Sequence, residues 1–133
     1  PDIQNALFFT GTNNRDYIYY ATPTKVYTID LTMHTATPDY TVPITESPDE
    51  VITSMAVWLG YGMMNYTNNR GEMATTSSSN NMLVVTTYSP SLKEGFVRTL
   101  PISIFTGRIE QNKDYHGLFR GFGKITATTP QKQ

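Results

Sequence analysis

Tyr17-Ile18-Tyr19-Tyr20-Ala21, then Thr22-Pro23-Thr24, then Lys25-Val26-Tyr27-Thr28-Ile29-Asp30-Leu31: this stretch decides the fold. Two runs of β-branched and aromatic residues flank a short proline-bearing connection, the pattern of two antiparallel strands joined by a turn. Runs of the same kind recur along the chain, each closed by Gly, Pro, Asn, Asp or Ser, and helical periodicity is almost absent. Working outward, residues 6–10, 40–44, 51–59, 82–88, 96–104 and 124–129 bring the expectation to eight strands and no helix. Pro43 cannot donate to a ladder, so residues 40–44 are expected at an edge. Residues 51–59 are the most apolar run and hold the only tryptophan, Trp58.

The strands repeat weakly. Residues 17–22, 25–31 and 51–56, with a proline-bearing stretch before the last, match residues 82–87, 95–102 and 124–128 in order and character. The sequence therefore predicts one all-β region over residues 1–133, built of two four-stranded, blade-like antiparallel units at 6–59 and 82–129. Blades of this kind belong to a β-propeller, and a β-sandwich is the alternative with the same strand count. Residues 60–81 lie between the units and read as a long loop, its second half small and polar.

Composition narrows the function classes. Net charge is −1, without the basic excess that phosphate contacts require, so a nucleic-acid partner is not expected. Hydrophobic residues reach 38% and charged residues only 16%, with Thr, Asn and Ser making up the difference. Aromatics at 12%, including 9 Tyr, argue for a folded β protein over a disordered chain. There is no cysteine, which excludes disulfides, thiolate metal sites and cysteine nucleophiles. No apolar run approaches the ~18 residues of a membrane helix.

Three stretches carry a resemblance. Tyr17-Ile-Tyr-Tyr-Ala-Thr leading into Lys25-Val-Tyr-Thr-Ile-Asp-Leu, Glu50-Val-Ile-Thr-Ser-Met-Ala, and Gly121-Phe-Gly-Lys-Ile-Thr-Ala together resemble the C-terminal end of the PKD-like family lipoproteins of Bacteroidetes. The stretch Phe96-Val-Arg-Thr-Leu-Pro-Ile departs from the pattern, and residues 60–81 are longer than it would suggest. The resemblance implies a β-propeller body and a cell-surface or periplasmic setting, with any lipid anchor outside this chain. It supplies no catalytic motif. About four to eight blades close a propeller, so two would leave apolar faces to cover. The chain is accordingly expected to be the C-terminal part of a longer polypeptide, or to self-associate.

Catalytic and metal constellations are thin. His34 and His116 match no ligand spacing, and no cofactor or metal is expected. Asp49 and Glu50 are the one acidic pair, but neighbours in an extended chain face opposite ways, so a solvated turn is expected in place of hydrolytic carboxylates. The positive signal is aromatic. Trp58, Tyr61, Asn65, Tyr66 and Arg70 gather around the start of the long loop, where rings can dock on a sugar face while amides and Arg bond its hydroxyls. The competing reading packs Trp58 into the core. The expected function is a non-enzymatic binding module for a glycan or a protein. The alternatives are a fragment of a propeller hydrolase or lyase, and a structural adhesin or fimbrial piece.

Overall fold

A computed structural model describes residues 5–10, 16–32, 35–36, 42–43, 45, 47–60, 63–67, 70–77, 80–103 and 107–128. The protein is all-β. The first sheet runs β1 (Asn5–Thr10), β2 (Asp16–Ala21), β3 (Lys25–Asp30) and β4 (Thr35–Ala36), with β5 (Val42–Pro43) also pairing β3. The deciding stretch forms the expected hairpin, in register from Tyr17 opposite Asp30 to Ala21 opposite Val26. Its turn is closed by the Thr22 N–H, which donates to the Lys25 carbonyl at 3.1 Å. Tyr20 and Tyr27 are directly opposed across the hairpin and stack 4.8 Å apart on its outer face. Pro43 pairs with Lys25 in a two-residue strand, as an edge position allows. Tyr40 and Ile44 fall outside the described residues.

The second sheet is ordered β11 (Gly117–Phe122), β10 (Glu94–Ile102), β9 (Asn80–Ser89) and β6 (Val51–Gly60). Three expectations change here. The run at 51–59 does not complete the first sheet: it pairs with β9 and belongs to the second. The interval 60–81 is not a plain loop, because β7 (Met63–Thr67) and β8 (Met73–Ser77) pair within it as a separate hairpin. The last strand is Gly117–Phe122, and residues 123–128 are not in a strand. The strand expected at 124–129 is replaced by one that ends at Phe122, between Gly121 and Gly123. Gly95 explains the path that follows. A β-carbon there would lie 2.0 Å from the Gly123 carbonyl oxygen, so only a glycine lets the departing chain cross β10 at that point.

The two sheets pack face to face. Tyr17, Tyr19, Ala21 and Val26 from the first meet Ile52, Val57, Leu83, Val85, Leu100 and Ile102 from the second, and Ile109 closes one end. Period-two alternation puts each set on one face, and full burial is worth about 1.5–3 kcal/mol for each large side chain. Two hydrogen bonds stitch the layers: the Ile52 N–H donates to the Pro23 carbonyl at 2.7 Å, and the Tyr19 hydroxyl to the Gly107 carbonyl at 2.7 Å. Burial, with Tyr17 and Asp30 close by, pushes the Tyr19 phenol far above its usual pKa. β1 also lies beside β6, joining the layers along one border.

Candidate interaction surface

Pairing registers fix which side chains share the outer face of the second sheet, the face turned away from the first. Trp58, Met82 and Pro101 form one row, and Ala56, Val84, Thr99 and Gly117 the next. Ser54, Thr86, Val97 and Phe119 follow, and then Val51, Tyr88, Gly95 and Phe122. Trp58 is 40% exposed and Phe119 56% exposed, while Met82, Val84, Val97 and Pro101 are half-buried. An outer face of a two-layer β protein normally alternates to polar residues. Here its upper rows are mostly apolar, with Trp58 exposed, Met82, Val84 and Pro101 half-buried and Ala56 buried, a patch of the kind that makes a candidate interaction surface.

The lower rows are different. Residues 123–128 leave β11 and cross them. The Thr128 and Ser54 hydroxyls are hydrogen-bonded at 2.6 Å, the Thr86 hydroxyl donates to the Ile125 carbonyl at 3.5 Å, and Thr53 joins Thr86 at 2.7 Å. The Lys124 ammonium lies 5.7 Å from the centre of the Tyr88 ring. Between this segment and the sheet opens a cleft of ≈ 530 Å³ walled by Val51, Ile52, Thr53, Tyr88, Pro90, Lys124 and Thr126.

The charged groups serve the scaffold. Glu50 is 1% exposed, not part of a solvated turn: its Oε1 accepts from Arg98 Nε at 3.0 Å, Arg98 Nη2 at 2.8 Å and the Thr87 hydroxyl at 2.6 Å. Phe96 lies between two guanidinium groups, that of Arg98 at 5.7 Å from the ring centre and that of Arg120 at 5.2 Å. Arg120 in turn bonds Glu94 at 3.0 Å, and this contact holds the Glu94 carboxyl below its ordinary pKa. Asp49 accepts from the Ser89 hydroxyl at 2.8 Å, the Ser91 N–H at 2.7 Å and the Ser91 hydroxyl at 3.0 Å, fixing the β9–β10 turn. The His116 ring hydrogen-bonds the Glu110 carbonyl, and His34 lies outside the described residues.

Of the site residues expected from sequence, Trp58 stands 40% exposed on the outer face and is not part of the core between the two sheets. Arg70 is exposed in the β7–β8 turn, while Asn65 and Tyr66 lie on β7 opposite Thr75 and Ala74. The side chains of Asn65 and Tyr66, and the whole of Tyr61, fall outside the described residues. Sequence reasoning missed Met82, Val84, Pro101 and Phe119. The register of three adjacent strands brings them together, and no single strand shows it. No family model, curated protein or solved structure matches the chain.

Proposed function

We propose that this chain is a non-enzymatic binding module that recognises a protein partner through the outer face of its second sheet. The carrying observation is the apolar row of exposed Trp58 with half-buried Met82 and Pro101, continued by Val84, Val97 and the exposed Phe119. The described side chains around Trp58 are apolar, which suits a protein surface better than a sugar, whose hydroxyls need directed polar partners. Asp49 and Glu50, the one pair considered for hydrolysis, are spent on the turn and on Arg98, and this supports a binding role over a catalytic one. The resemblance to PKD-like lipoproteins supports a cell-surface or periplasmic setting.

The test is site-directed photo-crosslinking from position 58, with a glycan array run on the intact protein. A protein crosslink lost on Met82→Asp is expected, with no sugar retention. Retention of a glycan that disappears in Trp58→Ala would overturn the protein reading in favour of a sugar ligand.

A further inference from the structure

The outer face of the second sheet has two chemistries, and one segment of the chain respects the border between them. Where residues 123–128 cross, the sheet offers the hydroxyls of Thr53, Ser54 and Thr86; beyond their path it offers Ala56, Val84, Met82 and Trp58. We infer that residues 123–128 are a releasable strap, an internal occupant of a groove that an extended segment of the protein partner takes over when it binds. This rests on the reading of that face as the binding surface.

The argument is one of balance between two states. The strap carries Ile125, Thr126 and Thr128 but sits in no ladder, and among the described residues it is held by a hydroxyl pair, a long hydroxyl–carbonyl contact and a lysine over a ring. Each of these has a ready substitute in water, because a freed hydroxyl or ammonium is solvated where a freed apolar group is not. Ladder strands β9 and β10 lose backbone pairs on opening, whereas among the described residues the strap's bonds to the sheet all involve side chains of the sheet. It therefore belongs to the low-stability end of the molecule. The groove it vacates is lined with hydroxyls and runs straight into the Trp58 row. A partner segment placing a hydroxyl and a carbonyl where Thr128 and Ile125 now sit would extend the contact from apolar face to groove without a break. The strap itself shows that a single chain segment fits across these rows.

The full-length chain tests this in two steps. Trypsin needs a detached, extended substrate, so cutting after Lys124 reads release, while Lys25 and Arg98 inside ladders report global opening. Thr128→Val alters only the strap and should speed cutting after Lys124 at least three-fold with no change at the ladder sites. A fluorescein-labelled peptide of the sequence Gly-Lys-Ile-Thr-Ala-Thr should bind Thr128→Val several-fold tighter than the parent chain. Tyr115→Ala, an exposed residue outside both the strap's contacts and the Trp58 row, should leave both readings unchanged, and crosslinking from position 58 reads the apolar face separately. Equal cutting in parent and Thr128→Val would overturn release. Faster cutting without peptide binding would overturn the groove as an acceptor of extended chain.

Discussion

Asp49 and Glu50 are adjacent carboxylates with opposite fates. Asp49 stays near the surface and gathers hydroxyl and amide donors from Ser89 and Ser91, a local clasp on one turn. Glu50 turns inward and meets Arg98 and Thr87 across 48 and 37 residues, in a site with almost no water. The difference teaches that acidity in sequence says little until the direction of the side chain is known. In an extended chain one step reverses it.

The largest effect should come from Glu50→Ala, which strands the Arg98 charge among buried groups and should cost about 3–5 kcal/mol in denaturant unfolding. A Glu50→Leu/Arg98→Met double variant should recover most of that loss, because a well-packed apolar pair replaces two desolvated charges. If the double variant unfolds as easily as the single one, the pair is not what holds this region. Tyr19→Phe comes next, at about 1–2 kcal/mol, since it deletes the bond to Gly107 and leaves a buried carbonyl short of a donor. Trp58→Ala should lower stability by about 1 kcal/mol or less, as expected of a side chain on an open face. A loss comparable to that of Glu50→Ala would return Trp58 to the core.

Asp49→Asn should be the mildest, and it is best read as a pH effect. Hydrogen bonds, that from Ser89 foremost, hold the Asp49 carboxyl below the ordinary aspartate range. A depressed folded pKa contributes stability that is fully present above the unfolded value and fades as pH falls through the lower folded value. Acid unfolding of the parent should therefore show a component below pH 4 that Asp49→Asn lacks, with the two chains alike at neutral pH. Acid curves that superimpose would show the clasp to be too solvated to matter.

The hairpin at Tyr17 was legible because both strands and their turn lie within one short stretch, where local preference and period-two patterning agree. The all-β class followed from the recurrence of such runs. Sheet membership was harder. Residues 51–59 look alike whether they finish the first sheet or begin the second, and their pairing with β9 spans an inserted hairpin that turn-rich composition disguised. The edge strand went unread because Gly117-Leu118-Phe119-Arg120 is short and its glycine neighbours resemble a boundary. Glu50 was misjudged for want of one inference. Phe96, Arg98 and Leu100 share a face, and a cation on an apolar face calls for a buried anion. For the interaction surface, sequence found Trp58 and missed its neighbours, which only cross-strand register assembles.

The Tyr19–Gly107 bond has a consequence for how the chain comes to be folded. It joins positions 88 residues apart, and Tyr17 packs its ring so tightly on Gly107 that a β-carbon there would stand 2.2 Å away. The first hairpin can form early from local contacts, but its tyrosine face is not fully covered until Leu100 and Ile102 of β10 and the segment carrying Gly107 and Ile109 exist. During synthesis, which proceeds from the N-terminus at about 5–20 residues per second, that face waits incompletely covered for several seconds. Non-local pairing of this kind slows folding and lengthens the interval in which exposed aromatic strands meet other chains. Refolding at rising protein concentration should divert material into aggregates seeded by the first hairpin, well before the native protein itself shows any tendency to associate.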